Sequence, residues 1–301
     1  MGDYGRSMLF GYFLTPDATS YAELARTARL ADDLGLDLIG IQDHPYQSRF
    51  FDTWTLLTAL AVETRHIRLF PDVINLPLRP PAVLAKSVAT VDRISGGRIE
   101  LGLGAGAFWE AIVAMGGPAR TPGEAVAALE EAIQVSRLMW SDQRTVRFDG
   151  RFYSLRGAHP GPAPAHPINI WIGATGPRML DLIGRIGDGW IPSSSYVPPA
   201  ELPVMQQRID EAARRAGRDP AMVQRLYNVF GQITNGPSTG FLHGPADQWV
   251  DELTVLTIEY GMDSYILGPI GDVDSQLRRF AEKVVPHVRE HVARRRAAAS
   301  R

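Results

Sequence analysis

Short apolar runs of strand length alternate with helically periodic segments along this whole chain. Met8 to Leu14 is the first. Leu38 to Ile41, Ile67 to Ile74, Arg98 to Leu103, Ile168 to Gly173, Trp190 to Ile191, Arg225 to Ile233 and Ser264 to Leu267 follow. Between most of them the apolar spacing becomes helical. Ser20 with Glu23, and Thr121 with Glu124, have the spacing of capping boxes, in which each side chain satisfies the other's backbone N–H. Short strands buried on both faces and joined by helices require a parallel sheet. Eight such units in 301 residues predict a closed α/β structure, a (β/α)8 TIM barrel, rather than an open doubly wound sheet. No long linker interrupts the series, so 1–301 reads as one domain. Residues 141–167 read as an insertion between strands four and five: a hairpin turning at Asp149-Gly150, where Asp-Gly suits a type I′ turn, then a proline-rich stretch.

Charge and cysteine content remove several function classes. The 31 basic and 33 acidic residues leave a net charge of −2, without the basic excess that phosphate neutralisation of a nucleic acid calls for. The chain has no cysteine, which excludes disulfides, thiolate metal sites and a cysteine nucleophile. Met1 to Leu9 lacks a basic segment followed by an apolar core, and no apolar run reaches the roughly 18 residues of a membrane span. These features predict a cytoplasmic protein with no membrane and no nucleic-acid partner.

In a barrel the chemistry lies just past the strand C-termini. Strand two ends in Asp43 and His44. A histidine there can exchange protons near neutral pH while a nearby carboxylate orients its ring, or it can be a structural histidine bonded to a loop carbonyl. No second histidine stands in metal-ligand spacing with His44, so no metal is expected. Strand three ends in Asp72, Val73 and Asn75. Strand four ends in Gly104, Ala105 and Gly106, part of a GxGxx(G/A) pattern that lacks the usual partner acid on a following strand. Its glycines more simply admit a flat ligand or a neighbouring backbone, and a turn needing positive φ would account for two of the three. Strand five leads into Ala174, Thr175, Gly176, Pro177 and Arg178, where free N–H groups, a hydroxyl and a guanidinium converge at a helix start and suit a phosphate.

Taken together, IQDHP (Ile41 to Pro45), FPDVINLPLRPPAVLAK (Phe70 to Lys86), SGGRIELGLGAG (Ser95 to Gly106), IGATGPRMLDLIGRIGDGWIPS (Ile172 to Ser193) and the segment Gly244 to Leu267 resemble the bacterial luciferase-like family of flavin- and deazaflavin-dependent oxidoreductases. The resemblance covers roughly residues 8 to 290. It implies a TIM barrel with a cofactor across its C-terminal face. Asp43-His44 with Gly176-Pro177-Arg178 is most similar to the coenzyme F420-dependent branch. There His44 is implied to act in proton transfer, with Asp43 beside it. A bulge at Asp72-Val73, often a non-prolyl cis peptide, would back the ring. Asn75, Gly104 and Gly106 would line it, and Thr175 to Arg178 would hold the phosphate. Dehydrogenases of this type carry a glutamate just after the strand-four glycines; here stand Ala107, Phe108 and Trp109, with Glu110 later, which points to a more apolar substrate. The reading is an F420-dependent oxidoreductase acting on a small molecule. The alternatives are an FMN-dependent monooxygenase fed by a separate reductase, and a non-catalytic flavin-binding protein. A homodimer is implied by the resemblance alone.

Overall fold

In the computed structural model, which describes residues 2–299, all eight strand positions form one parallel barrel. Met1, Ser300 and Arg301, the ends of the unit read from sequence, lie outside the described residues. In chain order the strands and helices of the first half are β1 (Leu9–Leu14), α1 (Tyr21–Asp33), β2 (Leu38–Ile41), α2 (Thr53–Glu63), β3 (Arg68–Pro71), β4 (Ile74–Asn75), α3 (Pro81–Ser95), β5 (Leu101–Gly104), α4 (Trp109–Ala114) and α5 (Pro122–Met139). The second half runs β6 (Val146–Asp149), β7 (Ser154–Ala158), β8 (Ile170–Gly173), α6 (Pro177–Ile186), β9 (Gly189–Trp190), α7 (Leu202–Arg215), β10 (Gln224–Ile233), β11 (His243–Gly244), α8 (Ala246–Ile258), β12 (Ser264–Pro269), α9 (Val273–Arg279) and α10 (Val285–Ala299). The hydrogen-bonded order is β3-β2-β1-β12-β10-β9-β8-β5-β4, and a parallel bridge between Leu69 and Ile99 brings the two ends of that path together.

The third strand differs from its sequence reading. Ile67 to Ile74 is one apolar run, yet it folds as β3 and β4 separated by a cis peptide at Asp72–Val73. β3 pairs with β2, β4 pairs with β5, and the ladder changes partner at the step between them. The step needs space that only glycine leaves. A Cβ on Gly104 would stand 2.8 Å from Val73 Cγ2, one on Gly173 3.0 Å from the same methyl, and one on Gly102 2.0 Å from the Pro71 carbonyl oxygen. Of the strand-four glycines only Gly106 takes a positive φ, at 109°. The other two serve close approach rather than a turn.

Leu38, Phe70, Trp171, Ile191, Leu226 and Ile266 fill the barrel interior, while a larger apolar shell joins the strands to the surrounding helices. Thr121 and Glu124 complete their capping box at α5. Ser20 accepts from the Glu23 N–H, but the Glu23 carboxylate turns to Arg26 instead. The hairpin β6–β7 turns through a four-residue loop rather than a type I′ pair. The Glu131 carboxylate accepts three successive loop N–H groups, from Arg151, Phe152 and Tyr153, and Gly150 leaves room for it. The last helix is interrupted by a π turn, Phe280–Val284, that buries both end residues against the core. Among the described residues no helix is long and apolar enough to cross a membrane.

Candidate functional site

The C-terminal ends of β2, β4, β5 and β8 bring together most of the residues singled out from sequence. Asp43 is buried, and its carboxylate is fully committed. Oδ2 accepts from the Asn75 N–H at 2.9 Å and from Arg79 Nε at 3.0 Å, and Oδ1 accepts from Arg79 Nη2 at 2.9 Å. The same guanidinium reaches Asp52 Oδ2 at 2.6 Å, the residue that caps α2. A two-point guanidinium–carboxylate pair of this kind fixes orientation as well as charge. Arg79, which nothing in the local sequence marks, therefore ties the exits of strands two and three into one corner.

His44 does not use Asp43 as its ring partner. Its Nδ1 lies 2.7 Å from Tyr46 Oη. The rings of His44, Tyr46 and Phe108 form a triangle with centroids 5.6, 5.7 and 6.0 Å apart. Burial holds the His44 pKa below the ordinary imidazole value, and the nearby Asp43 charge only partly offsets it. The ring is therefore largely neutral at neutral pH. Among the described residues Nε2 has no hydrogen-bond partner, and it is not among the atoms sealed from solvent. Of the aromatic pair after strand four, Phe108 faces His44 and remains 60% exposed. Trp109 instead packs within 2.8 Å of where a Gly106 Cβ would stand. Glu110 is an exposed residue in the first turn of α4, whose side chain makes no hydrogen bond among the described residues.

Asp72 lies deeper. Burial pushes its pKa up to about 7 against a single opposing hydrogen bond, from Asn228 Nδ2 at 3.2 Å. Among the described residues its Oδ2 has no partner, nor do the buried carbonyl oxygens Asn75 Oδ1 and Asn228 Oδ1. Asn228, which also donates to Ser193 Oγ at 3.1 Å, was missed from sequence. A lone asparagine inside the apolar run of β10 was the available signal, because a buried amide demands partners. Val73 lies against Gly104 and Gly173, so Gly104 spaces the bulge itself.

Across the mouth, α6 begins at Pro177 with no side-chain cap at Gly176. Thr175 and Arg178 are both exposed and make no hydrogen bond or ion pair among the described residues. Trp190, buried in β9, donates from Nε1 to the Ala174 carbonyl at 2.8 Å and fixes the loop. Ala105 is half-buried against the apolar core. His243 lies off this site, with Nδ1 on the Phe241 carbonyl. Among the described residues no cluster of three or more His, Asp or Glu side chains is placed to hold a metal ion.

Residues 8–237 match the model of one protein family, described as luciferase-like monooxygenase. The chain belongs to that family. It is 36% identical over 213 residues to the 5,10-methylenetetrahydromethanopterin reductase of Archaeoglobus fulgidus, which covers 70% of this chain but only 60% of the reductase. It is 31% identical over 244 residues to the F420-dependent glucose-6-phosphate dehydrogenase of Kineococcus radiotolerans, covering 78% and 71% of the two chains. A solved F420-dependent secondary alcohol dehydrogenase, in complex with an F420-acetone adduct, superposes with a TM-score of 0.84 at 19% identity, over 94% of this chain and 99% of that one. At that identity the superposition shows the TIM-barrel fold.

Proposed function

We propose that this luciferase-like barrel is an oxidoreductase that moves a hydride between coenzyme F420 and a small, uncharged, rather apolar substrate, with His44 exchanging the accompanying proton. The observation that carries the reading is the set of unmet polar groups at the barrel mouth. Among the described residues Asp72 Oδ2, Asn75 Oδ1 and Asn228 Oδ1 are buried without partners and converge at one mouth, a demand that a bound ligand or ordered water would meet. They suit the N–H edges of a planar heterocycle, and Val73 would back its ring. The uncapped start of α6, with the Thr175 hydroxyl and the Arg178 guanidinium free, suits the cofactor's phosphate. The F420-dependent relatives supply independent support for the cofactor's class. When bound, F420 supplies or accepts the hydride; the chain's own part is orientation and proton handling.

The substrate class follows from what surrounds His44. Tyr46 and Phe108 present ring surface, and Arg79 is spent on Asp43 and Asp52. Arg79 is therefore not available to recruit an anionic group here. His44 Nε2 is left to meet a substrate oxygen, giving a proton on reduction and taking one on oxidation. The test is turnover of neutral ketones and alcohols by the purified protein loaded with F420. We expect activity that falls about 10²–10⁴-fold in His44→Ala with F420 affinity retained. Binding of cofactor with no turnover across the panel would leave a non-catalytic flavin-binding protein instead. Unchanged turnover in His44→Ala would remove the role of His44.

A further inference from the structure

The proton His44 gives away has to be replaced, and the structure holds one group placed to do it. Asp43 is ruled out, because Arg79 and the Asn75 N–H occupy both its oxygens. Glu110 is exposed and makes no hydrogen bond to the ring among the described residues. The phenol of Tyr46 stands 2.7 Å from Nδ1, on the side of the imidazole opposite its free nitrogen. Phe108 packs against both rings and restricts their rotation.

The direction of this hydrogen bond follows from the two groups that make it. Burial, and then the Asp43 charge, push the Tyr46 pKa up against an opposing influence of the Asn75 amide, so the phenol keeps its proton. A phenol O–H is a more acidic donor than a neutral imidazole N–H, and the imine nitrogen is a better acceptor than a phenol oxygen, so at 2.7 Å the phenol's hydrogen goes to Nδ1. A neutral imidazole that accepts at Nδ1 carries its proton at Nε2.

We propose that Tyr46 is a positioning and proton-relay residue for His44: it donates to Nδ1, holds the ring proton on Nε2, and re-protonates the ring at Nδ1 when Nε2 gives its proton to the substrate. In the reductive direction the Nε2–H bond breaks as the substrate oxygen gains that proton. The Tyr46 O–H bond breaks as Nδ1–H forms, and the phenolate regains a proton from water through its partly exposed side. Oxidation runs the same transfers backwards. Only protons move in the relay; the electron pair travels with the hydride. The relay matters because a neutral His44 is otherwise a poor acid, and it rests on the proton-exchange role proposed for His44 above.

The charged and titratable groups facing His44 are Asp43, itself paired with Arg79, and Tyr46, so the test isolates Tyr46. Nitrogen NMR of the cofactor-free protein, with the His44 signals assigned through His44→Gln, reads the tautomer directly. Wild type is expected to carry its proton on Nε2 with Nδ1 as acceptor, and Tyr46→Phe to relax towards a mixture of both tautomers. In the F420-loaded enzyme Tyr46→Phe should lower kcat about 10²-fold with KM changed less than about threefold. Its remaining activity should decline as pH rises through the His44 pKa, because only the imidazolium form then donates. Nδ1–H as the main wild-type tautomer would overturn the proposal, and so would a Tyr46→Phe variant with unchanged tautomer and pH profile. Failure of the loaded wild-type enzyme to turn over would count against the F420 reading alone, since the NMR measurement needs no cofactor.

Discussion

Asp263 and Asp72 are buried carboxylates at opposite ends of the same barrel, and their surroundings differ sharply. Asp263, at the N-terminal end, is 2% exposed, against 9% for Asp72 at the C-terminal end. Burial raises both, Asp263 to about 6 and Asp72 to about 7. Their partners differ. Asp263 accepts from Gln224 Nε2, the Arg225 N–H and Ser264 Oγ, with Arg6 at 3.6 Å. Asp72 has Asn228 alone.

The pattern extends across each end. At the N-terminal face Glu100 is held by Arg68 at 3.1 Å and by the Asn169 N–H at 2.8 Å, while His166 meets Asp92 at 2.9 Å. Even the two atoms there without a hydrogen bond, Arg6 Nε and His166 Nε2, face a carboxylate within 3.7 Å. At the C-terminal face Asp72, Asn75 and Asn228 each keep an orphaned oxygen. Polar groups that are satisfied internally rigidify a fold; buried ones left unsatisfied call for a ligand or water. On this contrast one end serves as scaffold and the other is the site we propose.

The largest effect that would break this contrast is at Arg225, fully buried at the N-terminal end of β10. It donates to Asp210 at 2.8 Å and to Gln206. Arg225→Ala leaves Asp210 buried without its main charge partner and should cost about 3–5 kcal/mol in denaturant unfolding. Cofactor affinity of the folded fraction should stay unchanged. A mild loss of stability, or a selective loss of binding, would mean that this end is not the scaffold.

Next comes the pH response of Asp72. Its folded pKa lies above the ordinary carboxylate value, so between about pH 4 and pH 7 the unfolded chain has released a proton that the folded chain still holds. Stability of the cofactor-free protein should therefore fall as pH rises through that window. The full effect is at most about 4 kcal/mol by linkage. Asp72→Asn should flatten this slope, making the variant more stable than wild type at pH 8 and similar to it at pH 4. A variant with the wild-type slope would show that Asp72 is already satisfied.

Much of this was legible in the sequence, for a physical reason. Strands buried on both faces read as continuous apolar runs, so all eight positions were visible, as was the cluster of Asp43, His44, Asp72, Asn75 and Thr175 to Arg178 at their ends. The split of the third strand was not. It depends on Val73 finding room beside Gly104 and Gly173, residues far along the chain whose proximity only the closed barrel creates. The same holds for the Asp43–Arg79 pair. Asp43 beside His44 in sequence suggested an orienting carboxylate, but the turn after β2 brings the ring onto Tyr46 instead.

The central claim, that the unmet polar groups of the C-terminal face await F420, is tested most directly by titrating the purified protein with F420 and with FMN, each oxidised and reduced. Saturable one-to-one F420 binding, at least about tenfold tighter than FMN, and weakened by Asn75→Ala and Arg178→Ala, is the predicted result. Tight FMN binding without measurable F420 affinity would contradict it and point to a flavin-dependent monooxygenase on the same barrel.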